Sequence, residues 1–387
     1  MNIPNVNAHI HTPYSFSAFE KLTDALDKAT VEDVKIVGIN DFYTMDGYEE
    51  WNRESLKRHL YPLFNIEFIS LQQEDQDKGI RVNDPNNPGR TYISGKGLCC
   101  PPKLLKAYQS QLDGVRDEAN RQVQEMCRQI NELLMVHNAG FGLSYEVIKS
   151  ILTQGQVRER HLAKALRMSA YIHYKNKPED IYAFFEEIFN NGKSLQSDIF
   201  DFAGVENEMR TNLLKAGGAA FVPEDPKAFL PMDNVCQIIL AAGGIPTYPF
   251  LGDDAKGNFT EFENDLEQAA AILRQRNIFS AEFITTRNSI ETLEKYAGYL
   301  HEAGFIVTFG TEHNTPAMEP LKLSARGIPL TDRLKQINYE GACVIAAHQE
   351  LVHNGKMGYV DADGIADLSR REQFLKEGDT LINNIIQ

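Results

Sequence analysis

Hydrophobic positions alternate along the chain between two rhythms. Stretches with apolar residues three and four apart, the spacing of one helical face, are followed by short apolar runs rich in β-branched and aromatic residues. After an opening strand at 5–11, a helical stretch at 21–33 leads to VKIVGIND, and GYEEWNRESLKRHL leads to LFNIEFISL. Later NVCQIILAAGG precedes IPTYPF, FENDLEQAAAILRQRN precedes FSAEFITT, and SIETLEKYAGYLHEAG precedes FIVTFGTEHN. Repeated helix–strand pairs predict βα units around a parallel sheet. The expected strands end on polar or charged side chains, among them Asp41, Glu67, Glu282 and Glu312. Carboxylates at that end suit a barrel better than an open sheet, because barrel chemistry sits at the C-terminal strand ends. Taken singly, each carboxylate has an equal alternative as the N-cap of the next helix.

The middle of the chain interrupts the rhythm. DKGIRVNDPNNPGRTYISGKG is turn-rich, and a long helical stretch at about 101–136 follows it. GLSYEVIKSI, RERHLAKALRMSAYI and PEDIYAFFEEIF then read as further amphipathic helices. Residues 72 to about 220 are therefore expected as a largely helical insertion, a layer or lid on a barrel spanning 1–320. The tail at 321–387, with LSARGIPLTDRLKQIN and GACVIAAHQELVHNG, is expected as a helical extension packed on the barrel.

The 387 residues include 39 Lys+Arg and 54 Asp+Glu, a formal charge of −15, with 42% hydrophobic residues. This excludes a disordered tail and a disulfide miniprotein. The acidity argues against a general nucleic-acid coat, which needs a basic excess. Five cysteines, at 99, 100, 127, 236 and 343, are odd in number and lack CxxC spacing, which suits a reduced compartment. No stretch approaches the ~18 apolar residues of a membrane span, and the first residues lack the basic start and apolar core of a signal peptide. A cytoplasmic protein without a membrane partner is expected.

His9 and His11 lie two apart on the first strand, so their side chains leave the same face about 6–7 Å apart at Cα. They can converge on one ion, or can be strand histidines bonded to backbone. Glu67, Glu312 and His313 add two carboxylates and an imidazole at other strand ends. A mixed His/carboxylate set suits Zn²⁺, Mn²⁺ or Fe²⁺, where an all-oxygen set would suit Mg²⁺ or Ca²⁺.

Six segments, HIH at 9–11, GIND at 38–41, IE at 66–67, RERHLAKAL at 158–166, AGGIPTYP at 242–249 and GTEHN at 310–314, together resemble the PHP (polymerase and histidinol phosphatase) family. The resemblance spans about 5–316 and is strongest to phosphoesterase-like members with a helical insertion. It implies an α/β fold, a distorted (β/α)7 TIM-like barrel, whose strand ends bind two or three metal ions and hydrolyse phosphate esters. In that comparison His9 and His11 match the opening HxH, and Glu67 the bridging carboxylate. His161 matches the histidine of R-x-H-x-A, while Glu312 and His313 stand for the Asp and His of GSDxH. The chain departs from the pattern at Phe42 and Tyr248, where histidines are expected, and at Phe16 and Ser17, near an expected Asp or His. Glu312 also adjoins His313 without the usual spacer. The implied metal set is therefore His9, His11, Glu67, His161, Glu312 and His313, holding one to three divalent ions.

Around this set, Asp41 reads as a substitute ligand or an outer acceptor, and Tyr248 as a donor to substrate or a packing residue. Arg158, Arg160 and Arg287 read as phosphate forks or solvated charges. In its helix, His161 adjoins the apolar face of Leu162, Ala165, Leu166 and Ala170, so an interhelical contact is its alternative. His348 and His353 are five apart, not the four that stacks ligands on a helix, and receive no role. GFGLSY and GKS fall short of nucleotide cradles, and no GxSxG is present. The expected function is a metal-dependent phosphoesterase that cleaves a small-molecule phosphate ester or short nucleotide through metal-activated water, with Asp41, Tyr248 and Arg287 as catalytic candidates. The alternatives are a related barrel that binds ligand without hydrolysis, and a one-metal lyase or isomerase.

Overall fold

The computed structural model describes residues 3–189, 192–315 and 317–387. Seven strands, β1 (Asn5–Ile10), β2 (Val34–Phe42), β3 (Tyr61–Leu71), β4 (Arg90–Lys96), β5 (Ile245–Phe250), β6 (Ser280–Ile284) and β7 (Ile306–Gly310), lie side by side in sequence order. The segment after β7 returns to the end of β1. His11 N donates to Glu312 O at 2.7 Å and Glu312 N donates to His9 O at 3.0 Å. The sheet is thus nearly closed into a barrel, as the alternating pattern leads one to expect, and has the distorted TIM-like form that the motif resemblance implies. Its strands are buried along almost their whole length, which is why they read as continuous apolar runs.

The distortion is β4. It pairs antiparallel with both β3 and β5, whereas the other pairs within the sheet are parallel. No full crossover helix precedes it, only the short α3 (Gln73–Asp77), so the chain folds back beside β3. β4 lies inside the span anticipated as insertion, and the helical layer begins after it.

Around the barrel run α1 (Leu22–Val31) and α2 (Tyr48–Leu56). The layer contains α4 (Lys106–Val136), α5 (Tyr145–Leu152), α6 (Glu159–His173), α7 (Pro178–Ile188) and α8 (Phe202–Met209). The remaining helices are α9 (Met232–Ala241), α10 (Leu266–Gln275), α11 (Ile290–Glu302), α12 (Asp332–His353) and α13 (Arg371–Ile386). Side chains start several of them: the Asp265 carboxylate accepts from Gln268 N, and the Ser289 hydroxyl from Thr292 N. The layer has its own apolar core, with Ile130, Leu162, Leu166, Phe185 and Val205 buried together. It also reaches the barrel mouth, where Gln156 Nε2 donates to the backbone oxygen of Phe42 at 2.7 Å.

Residues 324–329 form a small antiparallel hairpin instead of helix, because Arg326 and Gly327 both take positive φ, 46° and 85°, and turn the chain sharply. α12 then runs unbroken. Its Ala342, Val344, Ile345 and Ala346 pack against Val6, Leu63, Ile245 and Ile306 at the strand starts, closing the barrel end opposite the strand C-termini. Among the described residues no helix is long and apolar enough to cross a membrane.

Gly341 lets α12 lie directly against β7, since a Cβ there would sit 2.1 Å from the oxygen of Val307. Gly341→Ala is expected to lower the unfolding free energy by about 1–3 kcal/mol, the usual range for overpacking. Urea unfolding checks it, and an unchanged midpoint would show that the helix does not bear on the strand.

Candidate metal centre

His9 and His11 leave the C-terminal end of β1 and its continuation on the inner face, opposite Glu67 of β3. Their Nε2 atoms are 3.3 Å apart. Glu67 Oε2 lies 3.2 Å from His11 Nε2 and 3.6 Å from His9 Nε2. All three residues are buried, and their ligand atoms lie within 4.8 Å of one another. Glu67 Oε2 is fully buried with no hydrogen-bond partner. Leaving such an atom unsatisfied costs about 1–3 kcal/mol, more for a charged group. Three electron-pair donors converging on one point fit a cation there.

A carboxylate stands behind each imidazole. Glu282 Oε2 is 3.0 Å from His9 Nδ1. Asp41 Oδ1 is 3.9 Å from His11 Nδ1, with the Ser15 hydroxyl 3.4 Å from that nitrogen and donating to Asp41 at 2.5 Å. Outer carboxylates in this position fix the ring and leave Nε2 as the inward donor. Asp41 also accepts from Thr12 N at 2.8 Å and the Thr12 hydroxyl at 2.5 Å, so its oxygens are engaged and it takes the outer position. The amide nitrogen of Asn40 lies 2.9 and 3.0 Å from the two nitrogens of His9, and therefore along neither lone pair.

Burial opposes a charge on His9, but Glu282 and Glu67 outweigh it and raise its pKa to about 9. Burial likewise favours neutral Glu67, yet His9 and His11 hold it down to about 2. Each group's electrostatics favours positive charge among these carboxylates.

The other expected ligands lie outside the three-residue cluster. Both ring nitrogens of His313 are engaged, one 2.7 Å from the Thr311 hydroxyl and the other 2.9 Å from the oxygen of Glu319, and the ring stacks on Phe19. Glu312 and His313 have positive φ, 64° and 57°, and this turn takes their side chains apart from the centre. Glu312 pairs with Arg287 and accepts from Asn314 Nδ2 at 2.7 Å. His161 sits in the first turn of α6, with Nδ1 accepting from Arg158 N at 2.9 Å and its edge on Phe16. Burial, then Arg158 and Lys164, lower its pKa to about 3.

Tyr248 takes the packing alternative. In β5 its neighbour Thr247 pairs with Ser94 on the inner face, and strand alternation sends Tyr248 outward. There it packs on Phe250 and Phe262, and its hydroxyl donates to Glu263 Oε1 at 2.9 Å. Phe42, at an expected histidine position, stacks on His11 at 5.0 Å. The Arg158 guanidinium lies over Phe42 and that of Arg160 over Phe16, so α6 and the residue before it bring two arginines to the mouth.

The sequence pattern marks Glu282 as a strand-end carboxylate but does not tie it to His9, and it gives no role to Asn40, Ser94 or Lys96. The usable signal was a polar or charged residue inside an otherwise buried strand. Gly310 is also part of the geometry: a Cβ there would lie 2.2 Å from the Cβ of His9, so glycine permits the close approach of β7 to β1.

No protein-family model matches the chain, and no curated protein matches it in sequence. Among solved structures, it is similar to a Bifidobacterium adolescentis protein assigned as a metal-dependent phosphoesterase, with TM-score 0.56 and 14% identity over 86% of this chain and 94% of that one. It is also similar to an amidohydrolase from Chromobacterium violaceum, solved with bound sulfate and no metal, with TM-score 0.51 and 14% identity over 86% and 96% of the two chains. At this identity the likeness is one of fold.

Glu263 supplies a pH test. Burial pushes its carboxyl from the ordinary 4.5 up to about 7, against the donors Leu251 N, Gly252 N and Tyr248 Oη. The folded state therefore holds this proton more tightly than the unfolded state, and the resulting stability is complete below about pH 4.5 and lost as pH rises through 7. Glu263→Gln is expected to remove on the order of 3 kcal/mol of pH dependence across that window. Chemical denaturation at stepped pH reads the difference, and parallel profiles for the two proteins would contradict it.

Proposed function

We propose that this barrel is a metal-dependent hydrolase that cleaves a phosphate ester of a small molecule or short nucleotide. The supporting observation is the buried, unpartnered Glu67 Oε2 facing two imidazole nitrogens, each ring backed by a carboxylate. Two nitrogens and one oxygen suit Zn²⁺, Mn²⁺ or Fe²⁺. Such an ion, when bound, supplies Lewis-acid activation of water and of a phosphoryl oxygen.

The chain's own residues would do the rest. Glu282 orients His9 directly, Asp41 acts on His11 through the Ser15 hydroxyl, and Phe42 shields the His11 side from water. Arg287, whose side chain is 47% exposed, can exchange its Glu312 partner for a substrate phosphate. Arg158 and Arg160, steadied on aromatic faces, add positive charge at the mouth of an otherwise acidic protein. The motif resemblance and the likeness in fold support the same reading, a divergent PHP-type phosphoesterase. The five free thiols suit the reduced cytoplasm.

Phosphate release from a panel of phosphomonoesters and diesters, with Mn²⁺ or Zn²⁺ supplied, tests the proposal. His11→Ala is expected to cut turnover more than about 100-fold, beyond the 10–100-fold usual for losing an outer partner. Turnover within twofold of the unmodified protein would remove the proposal. Metal binding without turnover of any ester would reassign the barrel to ligand binding.

A further inference from the structure

Behind His9, on its Nδ1 side, the barrel interior holds a second polar cluster that the hydrolysis just proposed does not use directly. Lys96 of β4 points inward and is fully buried. Its ammonium lies 2.6 Å from Glu282 Oε2, 3.3 Å from the backbone oxygen of Ala8 and 3.5 Å from Asn40 Oδ1. The Ser94 hydroxyl donates to the other oxygen of Glu282. A carboxylate, an amide oxygen and a peptide oxygen around one point form an oxygen set of the kind that holds a hard divalent cation. In this chain the positive charge at that point belongs to a side chain.

Burying an ammonium carries a desolvation penalty of several kcal/mol, so a lysine here is a specific feature of the site rather than filler. The pairing is also specific. Lys96 pairs with Glu282, whereas the buried carboxylates Asp41 and Glu67 lie beside His11 instead.

We propose that Lys96 is a built-in cation that fills the place of a second metal ion and limits the centre to one exchangeable ion, held by His9, His11 and Glu67. Lys96 is thereby a positioning residue as well: by anchoring Glu282 it fixes the ring of His9 from behind. The inference rests on the metal-centre reading above and deepens it, since it sets the stoichiometry.

The test is a metal count by elemental analysis after equilibrium dialysis of the full chain against Mn²⁺. The unmodified protein is expected to hold one ion per chain. Lys96→Ala, which empties the oxygen set, is expected to hold two, and Lys96→Ala with Glu282→Gln is expected to return to one. Two or three ions in the unmodified protein, or one in a folded Lys96→Ala variant, would overturn the inference while leaving the hydrolase reading in place. The unmodified count decides even where the alanine variant fails to fold. No bound ion in the unmodified protein would overturn both the inference and the metal centre.

Discussion

The site is governed by one electrostatic constraint. His9 Nε2, His11 Nε2 and Glu67 Oε2 meet where water is excluded, and Glu67 Oε2 has no hydrogen-bond partner there. An unpartnered carboxylate oxygen in a low-dielectric interior is unfavourable, and a cation held by it and the two imidazoles relieves it. The surrounding charges have the same polarity: Glu282 and Asp41 stand behind the rings, and both strengthen the pull on positive charge. Lys96 answers only one of those carboxylates directly.

The fold brings these groups together through its deviations as much as through its regularity. Parallel strands deliver His9, Asn40 and Glu282, as any α/β barrel would at the strand C-termini. The reversed strand β4 delivers Ser94 and Lys96 to the same interior. Gly310 allows the last strand to close beside His9, and α12 seals the far end. The helical layer contributes from above, carrying Arg158 and Arg160 on aromatic faces at the mouth.

Much of this was legible in the sequence because period and burial write themselves into side-chain type. The six parallel strands and their helices follow from apolar runs and helical spacing, and the pairing of His9 with His11 follows from strand alternation. β4 was hidden because RTYISGKG is bracketed by turn residues and runs opposite to its neighbours. Tyr248 was misplaced by motif position, since only the pairing of Thr247 with Ser94 reveals which face looks inward. His313 was misplaced because two successive residues at positive φ turn its side chain from the direction a strand would give it. The partnership of Glu282 with Lys96 joins residues 186 positions apart, and no local pattern encodes it.

Crystals grown with Mn²⁺ or Zn²⁺ and measured at the absorption edge of the metal address the centre most directly. The expected result is an anomalous peak about 2.0–2.3 Å from His9 Nε2, His11 Nε2 and Glu67 Oε2 together. A peak coordinated by Glu312 and His313, with none beside His9, would contradict it.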